Sequence, residues 1–183
     1  MTKEGRDVAK GFLSGFFAAL ILLAIGGYLF ILNGMLPAGQ DVPPGRLERW
    51  ATRTSLLASV TREAATLSSP LEPDDQNLAT GVVLYRTHCQ SCHGGPDAVA
   101  SAAARGLHPA PPQFAKDGVE DDPEGVIYWK IVHGIRFTGM PAFGRSLEKS
   151  DQWKIALFLK RMNALPPAPR QAWIGGTPGG GPR

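Results

Sequence analysis

The chain has 183 residues and a net charge of +3, enough for one domain of ordinary size with appendages. So small a basic excess, with no run of basic residues interleaved with aromatics, leaves no footprint for nucleic acid. No paired carboxylates, nucleophile elbow or phosphate loop stands out, so the sequence offers no hydrolytic or phosphoryl-transfer constellation.

Residues 11–36 contain no charged side chain, and 12–32 are almost entirely apolar. A helix of about 20 such residues crosses a bilayer core, so this stretch reads as a membrane span. The competing reading is a cleaved signal peptide, but such peptides have an apolar core of about 7–15 residues followed by a small-residue cleavage site, and none follows here. Residues 1–36 are therefore expected to be an uncleaved anchor. Lys3, Arg6 and Lys10 before the span are balanced by Arg46, Arg49 and Arg53 after it, so the positive-inside rule returns a tie. Gly11-x-x-x-Gly15, with Ser14, Ala18 and Ala19, would admit a second helix, although glycine is common in such spans anyway.

Residues 37–76 read as a linker. Its start, 37–45, is rich in proline and glycine, whereas 46–67 has Leu47, Trp50, Thr54, Leu57 and Ala64 at helical spacing. That amphipathic stripe must be covered, either by the domain that follows or by a partner subunit. Fully extended, a tether of this length reaches roughly 130 Å. A second break, 68–76, contains Pro70 and Pro73.

From Asn77 the pattern is helical again: Leu78, Val82 and Tyr85 share a face, and Gly81 permits close approach by another helix. This face leads into Cys89-Gln90-Ser91-Cys92-His93, which contains both cysteines of the chain. C-x-x-C-H is the attachment signal of a c-type haem: two thiols at this spacing form thioethers to the two vinyl groups, and the next residue supplies an imidazole to the iron. A disulfide or a thioredoxin-like pair would use the same C-x-x-C, but the latter expects a βαβ setting and the flanks here are helical. A zinc site would need His88 and His93 as third and fourth ligands from one cramped segment.

Residues 105–114 contain Pro109, Pro111 and Pro112 and cannot form an ordinary helix. Asp122-Pro123-Glu124 predicts a helix start, with Asp122 as capping carboxylate, Pro123 as first helical residue, Val126, Ile127 and Ile131 as apolar face and Gly134 as stop. It delivers the chain to Thr138-Gly139-Met140-Pro141, where glycine and proline fix a loop. The last helix is expected over 147–162, introduced by Ser146 or Ser150, with Trp153, Ile155, Leu157, Phe158 and Leu159 apolar. Acidic residues gather before the middle helix and basic ones after it; most such charges only solvate a surface, although a complementary partner could use the basic side for steering. Residues 166–183, rich in proline and glycine, read as a disordered tail.

With Cys89, Cys92, His93 and, 47 residues further on, Met140, the stretch from about 77 to 163 resembles a class I cytochrome c. The resemblance implies an all-α fold, a helical domain over 77–165 around one covalently attached haem c, with Cys89, Cys92, His93 and Met140 binding the cofactor and His93 and Met140 as iron ligands. It implies that the first and last helices cross at small and aromatic positions, and that a backbone carbonyl near 107–112 accepts a hydrogen bond from the ligand histidine. Because haem is attached outside the cytoplasm in that family, it also implies a single-pass protein of the cytoplasmic membrane with its haem domain on the periplasmic or outer side.

The function implied is single-electron transfer between a redox protein donor and acceptor in a respiratory chain, without a catalytic residue or a small-molecule substrate. Two other readings remain: a haem-bearing subunit of a larger respiratory or dehydrogenase complex, and a haem enzyme or gas sensor with an open sixth position. His108 and His133 compete with Met140 for the iron; His88, adjacent to Cys89, is expected to point away, and Met162 to lie in the core.

Overall fold

The structure is a computed structural model that describes residues 3–39 and 41–175. It divides into two compact units, Met1–Val42 and Pro43–Arg183.

The first unit is one helix, α1 (Lys3–Leu32). Within it Lys10–Leu32 is long and apolar enough to cross a membrane, and none of that window is buried. A helix that is apolar all round and covers no core suits lipid better than water. Ser14 within it donates to the Gly11 carbonyl at 3.0 Å and Asn33, just past its end, to the Leu29 carbonyl at 2.7 Å, so both are satisfied by the helix's own backbone. Gly34, at φ 65°, ends the helix with bonds from its own N–H to Ile31 and from Met35 N–H to Phe30. This is a Schellman stop, which glycine adopts without steric cost.

The second unit is all helical among the described residues: α2 (Arg46–Ala64), α3 (Asp75–His88), α4 (Gln90–His93), α5 (Ala102–Arg105), α6 (Phe114–Asp117), α7 (Glu124–His133), α8 (Lys149–Lys160), a 3-10 turn (Met162–Ala164) and α9 (Pro167–Gly175). Asp74 caps α3 by accepting from Asn77 N–H at 2.8 Å. α3 crosses α8 at Gly81, where a Cβ would collide with the Lys154 carbonyl and the Phe158 Cβ. Tyr85, one turn on, is fully buried between Phe158 and Trp173, with ring centroids 5.4 and 5.5 Å away. The expected crossing of first and last helices through a glycine and aromatics is thus present.

Several local expectations need correction. α7 starts at Glu124 with Pro123 in the cap position, because the Asp122 carboxylate pairs with Lys130 at 2.5 Å instead of capping. α8 is shorter than 147–162 and is entered from Glu148, while the N–H groups of Ser146 and Leu147 bond to the Phe143 carbonyl. The stretch 166–175 is not a disordered tail: Pro167 pre-sets the backbone of α9, and Pro169 and Trp173 are buried, the latter against Tyr85 and Phe158. The rest of the expected tail, 176–183, lies outside the described residues.

The linker also behaves differently from a loose tether. α2 packs against α7 through Leu56, Val60 and Ala64 on Trp129 and Val126, and the Trp129 indole N–H donates to Glu63 at 3.0 Å. Gly125 lets α2's exit come close, since a Cβ there would strike the Leu67 carbonyl. The following segment is pinned by Ser69 N–H donating to Glu124 at 3.0 Å. The covered face therefore runs through Leu56, Val60 and Ala64; Leu47, Trp50 and Leu57 of the expected stripe are exposed.

Candidate functional site

α3, α4, the proline-rich loop, α7 and the loop after α7 enclose one cavity of about 570 Å³, within the range of cofactor pockets. Cys89, Cys92, His93 and Met140 all line it, together with an apolar wall that includes Leu107, Ile127, Ile131, Ile135, Phe143 and Leu159. The two thiols are not bonded to each other. Among the described residues no three His, Cys, Asp or Glu side chains form a metal-binding group, so the zinc alternative lacks its ligand set.

The motif is held by what surrounds it. Cys89 ends α3, and its N–H and carbonyl carry the chain without a break into α4, through bonds to Tyr85 and from Cys92 and His93. Gly94 then turns at φ 77°, a conformation that favours glycine. Its carbonyl accepts the Tyr85 hydroxyl at 2.8 Å in the core, while Gln113 donates to the carbonyls of Cys92 and Pro111 at 3.0 and 3.1 Å. Gln113 and the tyrosine hydroxyl were silent in the sequence; only their proximity to the motif in space reveals their work.

His93 Nδ1 lies 3.0 Å from the Pro112 carbonyl oxygen. A carbonyl can only accept, so Nδ1 carries the proton and Nε2 keeps its lone pair. The acceptor falls within the stretch 107–112 named from the resemblance. Phe114 stacks on the imidazole at 4.2 Å and 5°, fixing the ring plane. Burial holds the imidazole below its usual protonation range, against the pull of the Pro112 carbonyl, which keeps it neutral as a metal donor must be. Burial likewise pushes the Cys89 thiol up to about 12, with Cys92 adding to the shift.

Met140 belongs to a loop closed on itself. Ile135 N–H donates to the Met140 carbonyl at 3.2 Å, the Thr138 hydroxyl donates to Ile135 at 2.7 Å, and Met140 N–H donates to that hydroxyl at 3.1 Å. Gly134, at φ 63°, leaves no room for a side chain beside the Met140 carbonyl. Beyond Met140 the chain returns to α7, where Phe143 and Gly144 N–H groups satisfy the end carbonyls of Ile131 and Val132, both at 3.0 Å. Buried Gln152 ties this return to α8 by donating to Leu147 at 2.7 Å and Phe143 at 3.3 Å.

Of the other histidines, His88 is exposed and borders the cavity, in an edge arrangement with the Phe143 ring at 6.3 Å. Neither His108 nor His133 lines it, and His133 lies against the Trp129 ring at 4.7 Å. Lys130 and Asp122 add an ion pair to the mainly apolar lining. Met162 is buried in the core.

Residues 76–159 match the family described as cytochrome c oxidase, cbb3-type, subunit III. This segment matches a cytochrome c domain. It spans both the C-x-x-C-H motif and Met140, and a domain of that kind implies haem binding and suggests electron transfer. A chain of the Kuenenia stuttgartiensis reducing HAO-like protein complex is similar to half of this protein at 20% identity with a TM-score of 0.43. The similarity spans 46% of that chain's length. No curated protein matches the sequence.

Proposed function

We propose that the protein is a membrane-anchored monohaem cytochrome c that passes single electrons between redox partners outside the cytoplasmic membrane. The observation that carries this reading is the convergence of Cys89, Cys92, His93 and Met140 on one apolar cavity, with His93 already oriented by Pro112. The residues fit the group: free thiols for thioether bonds, a neutral imidazole with one available nitrogen, a soft thioether and an apolar wall. Bound haem supplies an iron that alternates between two oxidation states.

The chain's own residues do the rest. The Pro112 carbonyl, through Nδ1, raises the donor strength of Nε2 and fixes the ring. The closed loop around Met140 presents its sulfur without needing the side chain to pack along a helix. His93 and Met140 would hold the iron from groups already set in place by Pro112 and by the closed loop, so little would have to move as its charge changes, which suits a carrier. α1 would anchor the chain in the cytoplasmic membrane, with the cytochrome domain on the periplasmic or outer side.

Covalent attachment is tested on a denaturing gel. The intact protein should retain haem after unfolding, and the double variant Cys89→Ala, Cys92→Ala should retain none. Haem that washes out of the unmodified protein contradicts the reading. A second reading, that the chain is the electron-entry subunit of a larger complex, draws on the matched family being one of oxidase subunits. Purification in mild detergent separates the two: a carrier migrates alone, a subunit with stoichiometric partners.

A further inference from the structure

α2 uses two faces for different ends. Leu56, Val60 and Ala64 hold it to α7, while Leu47, Trp50 and Leu57, about a quarter turn away, stand 74, 65 and 56% exposed. Three exposed arginines, Arg46, Arg49 and Arg53, run along one flank of that apolar stripe. Glu48, the single acid of the first three turns, lies across the helix from it and is engaged at the N-terminus by Gly45 N–H. Large apolar side chains, a tryptophan and a row of arginines on one side of a helix are the composition of a segment that lies in the headgroup layer of a bilayer.

Chain length restricts where this helix can be. Thirteen residues, 33–45, separate the end of α1 from the start of α2, and fully extended they reach only about 45 Å. An anchored α1 therefore keeps the start of α2 at a high effective concentration near the lipid surface.

We propose that α2 from Arg46 to Leu57 is an interfacial strap: Leu47, Trp50 and Leu57 enter the headgroup region, and Arg46, Arg49 and Arg53 pair with the phosphates of anionic lipids. The last two turns, through Val60 and Ala64, then hold the cytochrome domain at the surface, so that electrons are delivered and collected within reach of the membrane plane. This rests on the reading of α1 as a membrane anchor.

The test uses the full-length haem-loaded protein in lipid nanodiscs of phosphatidylcholine, with and without phosphatidylserine. A photoactivatable benzophenone residue is placed in turn at Trp50, Leu47, Glu48 and, in α1, Phe16, and lipid adducts are counted by mass spectrometry. The strap predicts adducts from positions 47 and 50, enriched by phosphatidylserine, and few from 48. Arg53→Gln should lower the enrichment by about fivefold, while Phe16 labels lipid in every disc. If Phe16 labels lipid but 47 and 50 do not, or couple to another protein chain instead, the strap is overturned and the anchor stands. If Phe16 does not label lipid or the protein elutes free of discs, the anchor reading itself fails, and the strap with it.

Discussion

The two sides of the cavity are built on different principles. The cysteine side is embedded in the core: α3 packs on α8 through Gly81, Tyr85 is fully buried, and its hydroxyl reaches the Gly94 carbonyl immediately after the motif. The methionine side is a loop that is mostly its own partner, closed by bonds among Ile135, Thr138 and Met140 and tied to the rest where Phe143 and Gly144 return to α7, where Gln152 of α8 holds that return, and where Gly139 meets Leu107. A break on the first side should therefore be felt by the whole domain, and a break on the second by the loop alone.

The larger effect is expected from Tyr85→Phe. It removes only the hydroxyl, yet leaves the buried Gly94 carbonyl without its donor, a loss of about 1–3 kcal/mol in global stability. Denaturant unfolding of the haem-loaded protein checks this: the midpoint should fall while attached haem and its visible spectrum stay the same. An unchanged midpoint would mean that the tyrosine hydroxyl does not tie the motif to the core.

A smaller and more local effect is expected from Thr138→Val. Two bonds are lost, but the residue is partly exposed and water can replace them, so about 0.5–1.5 kcal/mol should disappear from loop closure alone. The readout is the temperature at which the methionine ligation signature is lost, well below global unfolding. That temperature should drop while the unfolding midpoint holds. An equal fall in both would erase the distinction between the two sides.

The same contrast explains what could be read from the sequence. The cysteine side announces itself in five adjacent residues whose chemistry needs that spacing, and Leu78, Gly81, Val82 and Tyr85 mark the supporting face by helical period alone. Met140 is visible only as a methionine between glycine and proline at a distance typical of the resembling family. The partners of both sides were hidden, because Gln113, Gln152 and the Thr138 hydroxyl act through backbone groups that no pattern specifies. Helix ends misled where a side chain had a better long-range partner: Asp122 looks like a cap but is taken by Lys130. α9 was lost among prolines and glycines, since it is ordered by long-range contacts: the Trp173 ring packs on Tyr85 and Phe158, and Arg86 donates to the Trp173 carbonyl. The face of α2 was misplaced for a related reason: periodicity marks both an apolar stripe that is covered and one that is not, and the position of Trp129 alone decides between them.

The central claim, iron held by His93 and Met140, is tested most directly by Met140→Ala. The account predicts loss of the weak sulfur-to-iron absorption band of the oxidised protein, a lower midpoint potential and carbon monoxide binding to the reduced form, because a soft donor is removed and a position opens. His88→Ala, His108→Ala and His133→Ala should leave all three properties nearly unchanged. If Met140→Ala keeps the spectrum and potential of the unmodified protein while one of the histidine substitutions alters them, the iron is bis-histidine ligated and the account is contradicted.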